Sequence, residues 1–288
     1  MPPKLFALSA GYTRLLASLL PALALTGCVE PGSRESEPQA PPTVVSLNPC
    51  IDAILVEVAA PQQVLALSHY SRDAASSSIA PDVARQYRFT GGTAEEILAL
   101  EPDLVLASTF IAPSTRSALE RLGLRVETFG SPKSVEESYA QIARVAELTG
   151  GESDKLISRI EAAVTGLDEM RAARGDVDTL LWQSGQIVAG EDALVTTMLE
   201  RGGLQRSVDG ERLGQGDYVS LESLLADPPE LILIAGKSTG QHHPALQDLS
   251  DTRTEALDPS LFYCGGPSLI ALAERLERLR TPKSSATP

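Results

Sequence analysis

From Thr43 onward, short runs of apolar residues alternate with longer stretches in which apolar residues recur at helical spacing. Short contiguous apolar runs predict strands, here at residues 44–47, 64–68, 104–108, 126–129, 179–183, 231–235 and 255–257. The intervening pattern predicts helices at residues 51–59, 94–101, 114–122, 135–149, 193–201, 221–226 and 267–279. Regular alternation of the two element types is typical of parallel α/β sheets. Since the series restarts after residue 150, we expect two α/β lobes.

Residues 152–174 separate these two series and have the pattern of one long helix. Their apolar positions are spaced by three or four residues, at Leu156, Ile160, Ala163, Leu167 and Met170. Ser153 marks a plausible start and Gly175 a stop. About 22 helical residues span roughly 33 Å at 1.5 Å per residue. The segment is either a strut that joins the lobes or an ordinary helix packed on one of them.

An internal repeat relates the two halves. Residues 95–106 recur at 222–233, with Glu95 matching Glu222 at a separation of 222 − 95 = 127 residues. Leu98, Ala99, Pro102, Leu104 and Leu106 have the same residue type 127 positions later. Each copy has the pattern of a short helix, a proline stop and a buried strand. A glutamate at a helix start often only complements the helix dipole, so the repeat alone assigns it no role.

The first 27 residues have the pattern of an export signal. Lys4 and Arg14 are the only charged residues before Glu30, and an apolar stretch, 15–25, follows them. This stretch is too short for a membrane span but suits a signal-peptide core. It runs into Leu25-Thr26-Gly27-Cys28, which resembles the bacterial lipoprotein box, whose cysteine receives the lipid. We expect lipidation at Cys28, although an ordinary signal peptide with an incidental cysteine remains the alternative.

Composition narrows the function classes further. Lys and Arg total 24 and Asp and Glu 38, so the formal net charge is 24 − 38 = −14. Removal of residues 1–27, which carry two positive charges, changes this to −14 − 2 = −16. So acidic a chain argues against a broad nucleic-acid surface, which needs clustered Lys and Arg. Three cysteines are too few for a disulfide scaffold.

The opening strand segment Val44-Val45-Ser46-Leu47-Asn48-Pro49, the run 64–68 and the segment 95–108 together resemble a known family. They are similar to substrate-binding proteins of cobalamin and iron-siderophore ABC importers, cobalamin-binding proteins in particular, and the resemblance extends from Val44 to Leu279. It implies a class III periplasmic-binding-protein fold, in which one backbone helix joins two Rossmann-like lobes. The organisation expected is a signal peptide (1–27), a lipidated tether (28–43), an N-terminal lobe (44–150), a connecting helix (151–175), a C-terminal lobe (176–280) and a disordered tail (281–288).

The resemblance also implies roles for individual residues. Aligned motifs place four aromatic residues on loops that face the ligand cleft, namely Tyr70, Trp182, Phe262 and Tyr263. For each of them, packing in the core remains the alternative. Glu95 and Glu222 align with glutamates that dock onto arginines of the permease dimer, which works with its ATPase subunits. The cargo expected is a corrinoid such as cobalamin, and a ferric siderophore or haem is the alternative. No catalytic residue, resident cofactor or protein metal site is implied, because the cargo itself carries cobalt or iron.

Several features stay open at the level of sequence. Cys50 and Cys264 follow the first and last strands. They form a cross-cleft disulfide, or one of them contacts the metal centre of the cargo, or both are free thiols without a special role. His69 could ligate the cargo metal or only form hydrogen bonds, and His242-His243 lacks further ligands at metal spacing. The run Ala235-Gly236-Lys237-Ser238 lacks the earlier glycine of a phosphate loop. A membrane-anchored scaffold and an unrecognised hydrolase remain alternatives of other classes.

Overall fold

A computed structural model describes residues 40–205 and 216–281 of the chain. The predictions for the signal peptide, for Cys28, for nearly all of the tether and for the tail lie outside these residues. No helix in the described part of the chain is both long and apolar enough to cross a membrane.

The first half of the chain forms a parallel sheet of five strands in the order β3-β2-β1-β4-β5. These strands are β1 (Val44–Ser46), β2 (Val64–Ser68), β3 (Phe89–Thr90), β4 (Leu104–Ser108) and β5 (Val126–Phe129). Its helices are α1 (Pro49–Val58), α2 (Pro81–Ala84), α3 (Ala94–Leu98), α4 (Pro113–Arg121) and α5 (Val135–Thr149). The central strands β1 and β4 are almost wholly buried, as expected for parallel strands covered on both faces.

The second half forms a mixed sheet in the order β11-β10-β6-β7-β9, with β8 also paired to β6. Its strands are β6 (Val177–Gln183), β7 (Ile187–Val188), β8 (Leu204–Gln205), β9 (Asp217–Tyr218), β10 (Leu231–Ala235) and β11 (Arg253–Ala256). Strands β8, β6, β10 and β11 pair in parallel, whereas β7 pairs antiparallel with β6 and β9. The helices are α7 (Leu194–Arg201), α8 (Leu221–Ala226) and α9 (Ser268–Arg280).

One helix, α6 (Asp154–Arg174), connects the two sheets. It buries Leu156, Ile160, Val164 and Leu167 against α5 from the first half and against α7 and α9 from the second. Gly175 ends the helix with a φ of 70°, a backbone conformation that favours glycine. Helix α6 therefore packs on both halves, and the alternative of a surface helix on one half is wrong.

The main elements lie where the sequence pattern predicts them, and the differences concern short segments. The pattern does not reveal α2, β3, β7, β8 or β9, each of four residues or fewer. Segments this short contain too few residues to show a periodic pattern of apolar positions. The described residues pack as one compact unit, so the lobe boundaries at 44–150, 151–175 and 176–280 stay a prediction.

Candidate functional site

A pocket of about 550 Å³ opens at the carboxyl edge of the first sheet. Strand β1 lies between β2 and β4. The chain therefore adds β2 and β3 on one side of β1 and then crosses over to add β4 and β5 on its other side. Open α/β sheets bind ligands at this reversal, outside the carboxyl ends of the strands. Leu47 to Pro49 after β1 and Ser108 to Ile111 after β4 line the pocket there. The topology of the sheet therefore places the pocket where a ligand is expected.

Three exposed aromatic rings stand around this pocket. Tyr70 is 54% exposed, Phe110 is 82% exposed and Tyr263 is 59% exposed. Tyr70 lies on the turn after β2, Phe110 on the loop after β4, and Tyr263 on the segment after β11 in the second half. Aromatic rings so exposed to water represent unburied apolar area, which a bound ligand would cover.

The described residues that line the pocket carry no charged side chain. Besides the three rings they are apolar, small or neutral polar: Leu47, Asn48, Pro49, Cys50, Ala75, Ser76, Ser108, Ile111, Phe129, Gly130, Ser131 and Cys264. An anionic ligand would find no cation here to offset its desolvation. The lining therefore suits a ligand with large apolar faces and little charge where it meets the protein.

A buried carboxyl group beneath the pocket fixes the turn that carries Tyr70. Asp52, on α1, is completely buried, and its Oδ2 accepts hydrogen bonds from Ser68 N (2.9 Å) and Ser71 Oγ (2.6 Å). Burial raises the pKa of Asp52 to about 7, although hydrogen bonds with Ser46, Ser71 and Ser68 act in the opposite direction. Ser68 also accepts a hydrogen bond from Tyr70 N through its hydroxyl (3.4 Å). Asp52 thereby ties α1 to the turn on which Tyr70 stands.

A disulfide joins the two halves at the edge of the pocket. Cys50, near the start of α1, is bonded to Cys264, which follows β11, across 214 residues of sequence. Both cysteines line the pocket. Of the alternatives that the sequence left open for these cysteines, the structure has the disulfide.

Two of the four predicted aromatic residues lie away from the pocket. Trp182 is not on a loop: it belongs to β6, its side chain is fully buried, and its Nε1 donates to Val219 O (2.9 Å). Phe262 is buried in the main core and meets the ring of Tyr263 edge-on, with 5.2 Å between the ring centroids. The placement of both residues on the cleft wall is wrong, because core packing accounts for their rings.

The two glutamates of the repeat occupy equivalent helix starts. Thr93 caps α3 and Ser220 caps α8, again 127 residues apart, and Glu95 and Glu222 each lie two residues after the cap. Both glutamates are exposed. Hydrogen bonds from its own backbone N–H and from Ser220 lower the pKa of Glu222. Glu222 therefore presents a negative charge at neutral pH.

The histidines form no metal centre. Within residues 40–205 and 216–281, no group of three or more His, Cys, Asp or Glu side chains could hold a metal ion. His69 is exposed and stacks on Tyr70, with ring centroids 4.0 Å apart. His243 caps the following turn by accepting a hydrogen bond from Ala245 N at Nδ1 (3.2 Å).

Sequence reasoning missed Phe110, Ile111 and Phe129, which form much of the apolar wall. A signal was present: Phe110 and Ile111 follow the carboxyl end of the buried strand β4, and Phe129 ends the next strand. Placing β4 beside β1 would have pointed to these residues, but strand order is not visible in the pattern.

Comparison with known proteins supports the fold. The family model described as "Periplasmic binding protein" matches residues 44–256. No curated protein sequence matches the chain. Among solved structures, the periplasmic heme binding protein HutB of Vibrio cholerae is similar at a TM-score of 0.67 and 20% identity, covering 83% of this chain and 99% of that one.

Two further solved structures have comparable TM-scores. A possible iron-binding, periplasmic solute-binding protein from Staphylococcus epidermidis has a TM-score of 0.66 at 21% identity, with coverage of 83% of this chain and 96% of that one. CeuE of Helicobacter pylori, solved with Ni(II) bound, has a TM-score of 0.65 at 15% identity and 85% coverage of each chain. At these identities the likeness establishes the fold alone. On the match of residues 44–256, the chain belongs to the periplasmic binding protein family, whose members are extracytoplasmic binding proteins and not enzymes.

Proposed function

We propose that this protein is a lipid-anchored substrate-binding protein that captures a flat metal tetrapyrrole, haem in the first place, and delivers it to an ABC importer. Membership of the family supports the role of a substrate-binding protein. No bond-making step is involved. The cargo enters the pocket, the two halves close slightly about α6, and the loaded protein docks on the permease. One stiff helix between the halves favours a small movement.

The observation that carries the proposal is the pocket of about 550 Å³ with three exposed aromatic rings and no charged lining side chain. A tetrapyrrole offers two broad apolar faces, which such rings can cover by stacking. The carboxylates of a haem would then remain at the solvent edge. Ferric siderophores that carry a net negative charge fit the pocket less well, because it offers no cation.

Iron coordination gives a further reason to favour haem over cobalamin. Phenol and imidazole groups both serve as haem ligands in proteins, and Tyr70, with His69 stacked beside it, stands at the pocket. The structural relatives include proteins whose names describe them as heme-binding, from Vibrio cholerae and from Pseudomonas aeruginosa. Cobalamin remains the second candidate, because the neutral lining also suits an uncharged corrin ring.

Attachment and delivery complete the proposal. Lipid on Cys28 would hold the protein at the membrane, and Glu95 and Glu222 would pair with arginines of the permease dimer. Charge-assisted pairs of this kind fix orientation as well as adding affinity. The lobes would act as the two arms of this docking surface, with one glutamate on each.

The test is a titration of the full chain, in detergent, with ferric protoporphyrin, cyanocobalamin and a ferric catecholate, followed by visible absorbance. We expect saturable binding of the porphyrin with a shifted Soret band, and no turnover. Binding of cyanocobalamin alone would replace haem by the second candidate, and binding of none would contradict a tetrapyrrole cargo.

Tyrosine variants locate the bound iron. Tyr70→Phe keeps the ring but removes the phenol, so we expect an altered Soret band and affinity about tenfold weaker or more, a change of about 1.4 kcal/mol. The matched control is Tyr218→Phe, the same change at a tyrosine that is 62% exposed and does not line the pocket. Unchanged spectra for Tyr70→Phe would exclude Tyr70 as the iron ligand.

A further inference from the structure

The disulfide between Cys50 and Cys264 links distant parts of the chain and also lines the pocket. It joins the N-terminal turn of α1 in the first half to the segment after β11 in the second. Of the second-half residues that the structure describes, Tyr263 and Cys264 itself line the pocket. The bond therefore lies directly beside the aromatic ring that this part of the second half supplies.

Contacts around the bond show how it positions Tyr263. Cys50 Sγ lies 3.9 Å from the carbonyl oxygen of Tyr263, and the Cα atoms of the two cysteines are 5.1 Å apart. The Tyr263 side chain is 59% exposed, and its one described ring contact is the edge-on approach to Phe262. The disulfide is thus the covalent restraint that holds this exposed ring at the pocket.

The far end of the same segment is fixed independently of the disulfide. Gly266 N donates to Ser138 Oγ (2.7 Å), and Ser268 Oγ donates to Cys264 O (2.8 Å). A side chain at Gly266 would meet Ile54 of α1 at 2.7 Å, so the backbone there lies tightly against the first half. Before Tyr263, Phe262 is buried in the core, and Tyr263 N donates to Pro259 O (3.3 Å). Loss of the disulfide would consequently loosen Tyr263 and Cys264 without detaching the whole segment.

We propose that the disulfide is a redox-dependent specificity element, which completes the pocket by holding Tyr263 in place and leaves it incomplete when reduced. The inference rests on the function proposed above. A dithiol reductant would convert the bond into two cysteine thiols and would itself become a disulfide, so hydrogen and electrons balance. Disulfides persist outside the cytoplasm and are rare within it. The chain would accordingly reach full affinity for its cargo only after export.

A ligand-free measurement tests the positioning step alone. Hydrogen–deuterium exchange of the full chain is compared with that of the double variant Cys50→Ser/Cys264→Ser. We expect faster exchange confined to residues 259–265, with α1, β10 and α9 unchanged. Equal exchange in the two proteins would overturn the proposal, whatever the ligand proves to be. If the double variant does not fold, wild-type protein reduced with dithiothreitol provides the same comparison.

A double-mutant cycle then tests the link to binding, with gallium protoporphyrin as a redox-inert probe. Removing the disulfide should weaken binding about tenfold when Tyr263 is present and hardly at all in a Tyr263→Ala background. Additive losses in the two backgrounds would mean that the disulfide acts on general stability, which overturns the proposal. Failure of the oxidised wild type to bind the porphyrin would instead contradict the proposed function, and the exchange experiment keeps the two failures distinct.

Linkage provides a further readout, because coupling between two equilibria is reciprocal. If oxidation tightens porphyrin binding tenfold, then saturating porphyrin must shift the dithiothreitol equilibrium of the disulfide by the same factor. Alkylation followed by peptide mapping of Cys50 and Cys264 measures that equilibrium and ignores Cys28. An equilibrium that does not respond to the porphyrin would overturn the proposal.

Discussion

At the scale of single residues, Asp52 is the most unusual group near the site. It is a carboxyl with no exposed surface, its Oδ2 accepts two hydrogen bonds, and its Oδ1 has no hydrogen-bond partner among the described residues. An ionised carboxylate in such a place is costly, and this cost raises its pKa to about 7. Protonation of Asp52 would remove the negative charge from this buried carboxyl group. Titration of Asp52 therefore links the stability of the turn that carries Tyr70 to pH.

The direction of this dependence follows from the raised pKa. Between the ordinary value of 3.8 and about 7, the folded protein binds a proton that the unfolded chain releases. The contribution of Asp52 to stability is then fully present below 3.8 and is lost as pH rises through 7. Since one pKa unit corresponds to about 1.4 kcal/mol, we expect this contribution to fall by about 2 kcal/mol between pH 5 and pH 7.

Urea unfolding of the wild type and Asp52→Asn across this pH range isolates the effect. The difference in unfolding free energy between the two proteins should change by about 2 kcal/mol, because asparagine cannot titrate. Exposed carboxylates with lowered pKa values, such as Asp176 beside Arg171, are common to both proteins and cancel. A pH-independent difference would show that Asp52 titrates at an ordinary pKa.

At the scale of elements, the predictions that rest on local sequence signals are confirmed, whereas the predicted orientation of the Trp182 side chain is wrong. The 127-residue repeat is confirmed by the caps Thr93 and Ser220 and by β4 and β10, whose bounds also differ by 127 residues. Caps, proline stops and apolar runs depend on neighbouring residues, so the sequence contains them. Trp182 was misplaced although its own strand was predicted, because a motif match does not say which side of a strand a ring faces.

Features that depend on distant residues could not be predicted from the pattern. The pairing of Cys50 with Cys264 requires two loops 214 residues apart to meet. The contribution of Phe110 to the pocket depends on the position of β4 beside β1. Both follow from strand order, which no local signal in a single sequence records.

The second prediction concerns Glu95 on α3 and Glu222 on α8. Glu95 and Glu96 are both exposed, but the Oε2 of Glu96 accepts hydrogen bonds from Thr90 Oγ1 (2.8 Å) and Gly91 N (2.6 Å) and so belongs to the local fold. Reversal of Glu95 and Glu222 to Arg should leave ligand affinity unchanged, because neither residue lines the pocket. Uptake should fall sharply, because like charges would meet at the permease at a cost of several kcal/mol.

Uptake of labelled cargo by cells that carry the importer is the measurement. Each single reversal should give a partial defect, and Arg→Glu changes in the permease should restore part of the uptake. The control is the pair Glu161→Arg and Glu169→Arg, the same change in charge at exposed positions of α6. If the Glu95 and Glu222 double variant transports its cargo at the wild-type rate, the two glutamates are only helix-start residues.

At the scale of the whole molecule, the fold, the disulfide and the predicted export signal are mutually consistent. A disulfide between the halves persists in an oxidising compartment, and the apolar stretch 15–25 has the pattern of a signal that leads there. A lipid on Cys28, followed by a proline-containing tether, would keep such a binding protein near its importer without a spanning helix.

This arrangement predicts the behaviour of Cys28→Ser. The variant should move from the membrane fraction to the soluble fraction, because acyl chains supply roughly 0.8 kcal/mol of attachment per buried CH₂. Position 28 does not line the pocket, whose described lining runs from Leu47 to Cys264, so the porphyrin affinity of the released protein should equal that of the wild type. Cell fractionation and intact-mass measurement check the anchoring, and a porphyrin titration of the released variant checks the affinity. Wild-type protein without added lipid mass, or a variant that stays with the membrane, would contradict anchoring at Cys28.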